Sequence, residues 1–218
     1  MHDMEPLFKE MEEALENGNV KELKRLAQSA LDKKIDPHDI LNQGLIGSML
    51  KLGTKFKNGE VYIPEVLMAA RAMNETVADV LKPLLGAEGL GFKGKFMIGT
   101  VKRDLHDIGK NLVGMMLKGA GYQVIDLGVD VQADVFVQKV KEEKPQIVGI
   151  SALLTTTLGE MQAIIAGLKA AGLRDSVKVV VGGAPVTEKF AMEIGADAYA
   201  ADAASAVEVS NRLLGKER

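Results

Sequence analysis

Apolar residues recur every three or four positions through the first part of the chain. Leu7, Phe8, Met11 and Leu15 mark one helix. Asn19 followed by Glu22 fits a capping box that opens a second, with Leu23, Ala27, Ala30 and Leu31 along it. Asp36-Pro37 reads as a third start, with Asp as the cap, Pro in the first helical position and Asp39 three residues after the cap. That helix carries Ile40, Leu41, Met49 and Phe56 and stops near Asn58-Gly59. Pro64 opens a fourth, whose Val66, Ala70, Met73, Val77, Val80 and Leu84 predict one continuous stripe. Four amphipathic helices with short connections over roughly 5–85 predict an antiparallel bundle.

Gly86, Gly89, Gly91 and Gly94 then break all periodicity, which predicts a flexible linker and a hinge over Gly86–Lys95. The expected domains are 1–88, helical, and 89–218. In the second, apolar runs at 96–101, 122–127, 147–151, 177–181 and, weakly, 198–200 alternate with helical stretches near 108–120, 133–143, 158–171, 187–193 and 202–214. Buried runs alternating with helices predict a five-stranded parallel sheet covered on both faces. The expected class is therefore an α/β flavodoxin-like (Rossmann-like) domain preceded by an all-α four-helix bundle.

Composition narrows the function. The chain has 218 residues, 47% hydrophobic and 26% charged, which excludes a mainly disordered protein. A formal net charge of −3 argues against nucleic acid or an anionic membrane as a partner. No apolar run is long enough to span a bilayer, and Met1-His2-Asp3-Met4-Glu5 is unlike a secretory signal, so a cytoplasmic location is expected. Cysteine is absent, which removes disulfides, thiolate metal sites and cysteine nucleophiles. Histidine occurs only at His2, His38 and His106, so any metal must be held by His, carboxylate or a cofactor. With no Trp and 4% aromatics, the core must be aliphatic.

Ligands of open α/β sheets bind beyond the carboxyl ends of the strands. After the first strand comes Lys102-Arg103-Asp104-Leu105-His106-Asp107-Ile108-Gly109-Lys110, after the third Ser151-Ala152-Leu153-Leu154-Thr155-Thr156-Thr157, and after the fourth Gly182-Gly183-Ala184-Pro185. A lone loop histidine is most often solvated, the hydroxyls suit helix caps, and a bare Gly-Gly suits a turn. Position raises the stakes for His106. It follows a first strand, and Asp104 stands two residues before it, the arrangement by which a carboxylate fixes Nδ1 and frees Nε2 for a metal. The phosphate-binding glycine patterns and a nucleophile elbow are both absent, which removes the main support for nucleotide binding and for a Ser-His-Asp hydrolase.

Taken together, Asp104-x-His106-x-x-Gly109, Ser151-x-Leu153 and Gly182-Gly183 resemble the cobalamin-binding signature of methionine synthase and the small corrinoid proteins. The run from Val101 to Asn111 is similar almost residue by residue, and Gly59-Glu60-Val61-Tyr62-Ile63-Pro64-Glu65-Val66 resembles that family's helical cap. The resemblance covers nearly the whole chain and implies a corrinoid protein of a methyltransferase system serving methylamines, methanol, methoxylated aromatics or betaines.

That resemblance implies cobalamin as cofactor, cycling between cob(I)alamin and methylcobalamin, with His106 Nε2 replacing the displaced dimethylbenzimidazole on cobalt. It implies Asp104 on the other ring nitrogen, and Thr157 where the family has a serine, the three forming a relay for the accompanying proton. Gly109, Ser151, Leu153, Gly182 and Gly183 would line the slot for the nucleotide tail, with Asp107, Ile108 and Thr155 beside them. Tyr62 takes the place of an apolar aromatic that covers the methyl face of the corrin, its hydroxyl being a departure. The implied partners are a donor-specific methyltransferase, a second methyltransferase using a tetrahydrofolate or thiol acceptor, and a reductive activation protein. The protein would be a carrier and not a complete enzyme. Two other readings share motifs. The small subunit of an adenosylcobalamin mutase resembles the α/β half alone, and a cobalamin-based regulator wants a basic DNA-binding module. A third reading is a flavodoxin-like protein without cobalamin, the motif match being accidental.

Overall fold

Leu7, Met11, Ala14 and Leu15 bury one face of α1 (Met4–Glu16) in the first unit of the computed structural model, which describes residues 4–85 and 92–216. α1 packs against α2 (Val20–Asp32), whose buried residues are Leu23, Leu26, Ala27 and Ala30. The cap of α2 is half of a capping box. Asn19 Oδ1 accepts from the Glu22 N–H at 3.1 Å, but the Glu22 carboxylate turns to Arg25 at 2.7 and 2.9 Å. Asp36 caps α3 (Pro37–Asp39) by accepting from the His38 N–H, with Pro37 at the first turn as expected.

The third and fourth rods are not simple α-helices. α3 runs through a π-helical stretch, Ile40–Ile46, into α4 (Gly47–Lys57). Likewise α5 (Ile63–Thr76) runs through Val77–Leu81 into α6 (Lys82–Leu85). The second π stretch corrects the expected stripe. A π turn inserts an extra residue and rotates the buried face. Thr76 and Leu81 are therefore buried, whereas Val77 and Val80 are half-buried and Leu84 is exposed. Buried Thr76 is satisfied by donating to the Ala72 carbonyl at 2.8 Å.

The chain divides into two compact units, one ending at Phe92 and the other beginning at Lys93, with Gly119–Gly121 grouped with the first. The boundary expected between 88 and 89, and Gly86, Gly89 and Gly91 of the expected hinge, lie outside the described residues.

The second unit alternates β1 (Lys95–Thr100), α7 (Ile108–Gly119), β2 (Gln123–Asp126), α8 (Ala133–Glu143), β3 (Ile147–Ser151), α9 (Leu158–Ala170), β4 (Lys178–Gly182), α10 (Glu188–Ile194), β5 (Ala198–Ala200) and α11 (Ala203–Leu213). All pairings are parallel, in the order β2-β1-β3-β4-β5, the flavodoxin-like arrangement. The central strands are buried on both faces. Met97, Val148, Ile150, Val179 and Val181 pack with Phe136, Met161, Ile164 and Leu168, while Phe96 sits on the other face, edge-on to Tyr122 at 6.5 Å. Each such side chain contributes about 1.5–3 kcal/mol on burial. Gly149 makes room for Phe96, since a Cβ there would stand 2.5 Å from its ring.

Register positions the rim. Thr100, Ser151, Gly182 and Ala200 are successive partners across β1, β3, β4 and β5, so the loops after these strands leave the sheet at one level. No described helix is long and apolar enough to cross a membrane.

Candidate functional site

The loop after β1 folds around a buried carboxylate. Asp104 is fully buried, and its oxygens divide their work. Oδ1 accepts from the His106 N–H at 3.1 Å and pairs with His106 Nδ1 at 2.7 Å. Oδ2 accepts from the Leu153 N–H at 2.7 Å, the Leu154 N–H at 3.2 Å and the Thr157 hydroxyl at 3.1 Å. Thr157 Oγ1 also lies 2.9 Å from the Leu154 carbonyl, so its single proton is shared between two acceptors.

These contacts decide a protonation state. Burial pushes the Asp104 carboxyl up, but the Leu153 amide, the His106 ring and the His106 and Leu154 amides outweigh it and hold the group down to about 2. An ionised carboxylate only accepts, so Nδ1 must be the donor. In the neutral ring this leaves the lone pair on Nε2. The His106 side chain is half exposed, and Nε2 has no protein partner among the described residues.

The neighbours hold the loop rigid. Arg103 and Asp130 both adopt left-handed backbone, and they interlock. Asp130 Oδ1 accepts from the Arg103 N–H at 2.6 Å, and the Asp130 N–H donates to the Asp104 carbonyl at 3.0 Å. The Arg103 guanidinium reaches Glu160 on α9 at 2.7 Å.

The two glycines at the end of β4 are demanded by the protein itself. Gly183 has φ +128°, and a Cβ there would fall 1.8 Å from the Ala152 carbonyl oxygen. A Cβ on Gly182 would meet the Ala200 carbonyl oxygen at 2.8 Å. Gly109 is the opposite case: a Cβ there meets nothing within 4 Å. Protein packing therefore does not account for that glycine.

Of the residues singled out in the sequence, the structure brings Asp104, His106, Thr157 and the Leu153 backbone into one hydrogen-bonded group. Ser151 and Gly182 stand beside them in register. Asp107 accepts from the Asn111 side chain at 3.0 Å. Thr155 and Thr156 are exposed, and no threonine hydroxyl of the short 3₁₀ turn Thr155–Thr157 caps α9. Ile108 is exposed, as are Leu105, Leu153 and Leu154, an apolar rim around His106. Tyr62 belongs to the helical unit. It precedes α5, is exposed, and donates its N–H to Glu65 at 3.0 Å. The Leu154 amide and the Lys110–Asp126 pair were not anticipated. The signal for the pair was a lysine inside the apolar pattern of α7, which needs a counter-charge; the Leu154 amide left none.

The donor set fits one kind of metal. A bare cation takes three or four protein ligands, and no group of three such side chains occurs among the described residues. One imidazole serves a metal that arrives with its other ligands, as a ring-bound cobalt does. The exposed apolar rim and the open space at Gly109 suit a large flat ring.

Comparison with known proteins agrees. Two family models match, both described as B12 binding domains, over residues 7–80 and 94–208. A corrinoid protein of Desulfitobacterium hafniense is 44% identical over 96% of this chain and 98% of its own. The trimethylamine corrinoid protein of Methanosarcina barkeri is 43% identical over 95% of this chain and 96% of its own. Among solved structures, a chain of the methanol:cobalamin methyltransferase complex from Methanosarcina barkeri superposes with a TM-score of 0.87 at 28% identity, covering 97% of this chain and 81% of that one.

Proposed function

This chain belongs to the B12-binding corrinoid proteins, and from that premise we propose that it carries a methyl group between two methyltransferases. Bound cobalamin supplies a cobalt that takes up a methyl group as a nucleophile and gives it to a second acceptor. His106 Nε2 would hold the cobalt, and Asp104 fixes the tautomer and direction of the ring. Against burial, the Leu153 amide, the His106 ring and the His106 and Leu154 amides keep Asp104 ionised, and the Thr157 hydroxyl donates to the same carboxylate. Asp104 is held well below the ordinary carboxylate range, so it stays ionised beside the His106 ring. Gly109, Ser151, Leu153, Thr155, Gly182 and Gly183, with Asp107 and Ile108, line the slot for the displaced nucleotide tail. Residues 1–88, which include Tyr62, are a cap domain, and residues 89–218 are the cobalamin-binding domain.

The chain acts in the cytoplasm and is not complete alone. Amines, ethers and alcohols have poor leaving groups and need acid or Lewis-acid help, which a donor-specific methyltransferase would supply. The trimethylamine relative and the methanol:cobalamin complex support a donor-specific methyltransferase as one partner. The second partner uses a tetrahydrofolate or thiol acceptor, and a reductive activation protein restores the reduced state.

The observation that carries this reading is the His106 ring, held at Nδ1 by a buried carboxylate and open at Nε2 on the rim. Protein reconstituted with cobalamin in the Co(II) state is expected to show histidine nitrogen hyperfine splitting by electron paramagnetic resonance, lost in His106→Ala. Splitting that survives this substitution overturns the ligand assignment. Rapid single-turnover methylation by a simple amine or alcohol without a partner overturns the carrier assignment.

A further inference from the structure

Lys110 is the third residue of α7, and its side chain is only 2% exposed. A buried cation in the first turn of a helix is disfavoured twice, by desolvation and by the positive end of the helix dipole. Its ammonium is nevertheless fully engaged. Nζ donates to both Asp126 oxygens, at 2.7 and 2.6 Å, and to Asn111 Oδ1 at 2.8 Å. Asp126 is the last residue of β2.

Two chains of hydrogen bonds lead from this pair to the main chain of the His106 loop. On one side Asp126 Oδ1 accepts from the Gly128 N–H at 2.8 Å, the Gly128 carbonyl accepts from the Thr100 N–H at 3.0 Å, and the Thr100 hydroxyl donates to the His106 carbonyl at 2.8 Å. On the other, Asn111, which accepts from Lys110, donates through Nδ2 to Asp107 Oδ2 at 3.0 Å and through its N–H to the Asp107 carbonyl at 2.7 Å. Both chains end on the His106–Asp107 segment. Asp104 orients the ring, and this second network holds the backbone that carries the ring. A methionine would fill the volume of Lys110 without a buried charge, so packing alone does not call for lysine.

We propose that Lys110 and Asp126 are positioning residues for His106: their ion pair clamps the His106–Asp107 backbone and so sets how completely Nε2 engages the cobalt. This rests on His106 being the axial ligand.

The test uses the full chain in two forms. In cobalamin-loaded protein in the Co(II) state, the share of signal with histidine nitrogen splitting is measured for Lys110→Met, Asp126→Asn and the double variant Lys110→Met/Asp126→Met, which strands no charge. That share is expected to fall about tenfold, the lower end of what outer partners of a metal ligand cost, with cobalamin affinity changing less. In cobalamin-free protein, hydrogen exchange at the Thr100 and Gly128 amides is expected to quicken, while the Leu153 and Leu154 amides, which hold Asp104, stay protected. Unchanged splitting in a folded Lys110→Met protein overturns the proposal, as does a loss of thermal stability with splitting intact. If Lys110→Met does not fold, Asp126→Asn and the double variant decide. If the natural protein shows no histidine splitting, the ligand assignment fails instead, and exchange at Thr100 and Gly128 still reports whether the clamp exists.

Discussion

The chain contains the same three-residue arrangement twice, Asp36-Pro37-His38 at the start of α3 and Asp104-Leu105-His106 after β1. Their local geometry is nearly identical. In each, one carboxylate oxygen accepts from the histidine N–H, at 2.8 and 3.1 Å, and meets Nδ1, at 3.2 and 2.7 Å. The histidine side chains are similarly exposed, 54% and 51%. The carboxylates are not, at 62% and 0%. Asp36 spends its charge on a helix cap in water. Asp104 has a second oxygen surrounded by two amides and a hydroxyl. An Asp-x-His spacing thus makes a hydrogen bond anywhere. Only burial of the carboxylate among fixed donors makes a ring whose tautomer and direction cannot wander.

That contrast can be broken in graded ways. The severest is Gly183→Ala, because its Cβ would strike the Ala152 carbonyl, one residue before the amides that hold Asp104. A loss of more than about 4 kcal/mol by denaturant unfolding, or no folding at all, is expected from the clash and the left-handed φ. Asp104→Ala is expected to cost about 3 kcal/mol, since it strands buried donors, whereas Asp36→Ala forfeits only a solvated cap. Equal losses would show that burial adds nothing.

Acid separates the two carboxylates next. Asp104 is lowered from 3.8 to about 2, so its contribution is complete above the ordinary carboxylate value and is lost as pH falls from about 4 toward 2. The difference corresponds to about 2 kcal/mol, removed from that window in Asp104→Asn. Asp36 is also lowered, chiefly by the His38 amide, and its solvent exposure keeps its share of the acid slope small. Thr157→Val removes one of three donors to Oδ2, and about 1 kcal/mol is expected, recovered in Thr157→Ser. The smallest effect belongs to His38→Ala. Nitrogen splitting in the cobalamin-loaded protein is expected to be untouched by it, and its loss would move the ligand from His106 to His38.

Much of this molecule is written locally. Alternation of apolar runs and helical stretches placed all five strands and the helices between them, because burial on both faces leaves an uninterrupted apolar run whatever the partners are. The Asp104–His106 bond was equally legible, since it closes within three residues. The π stretches at Ile40–Ile46 and Val77–Leu81 were not, because a 3.6-residue period is assumed in counting a stripe and only packing shows where an extra residue enters. Nor could spacing reveal what buries Asp104, whose partners Leu153, Leu154 and Thr157 lie 49, 50 and 53 residues away. Strand register brings them to Asp104, by setting Thr100 against Ser151 so that the two loops start at the same level. The sequence by itself determined which side chains could form the dyad and which end of which strand would carry it. Tertiary structure decided that one Asp-x-His pair would be dry and held on both oxygens while the other stayed in water, because desolvation and convergent donors come from chain segments that local spacing does not connect.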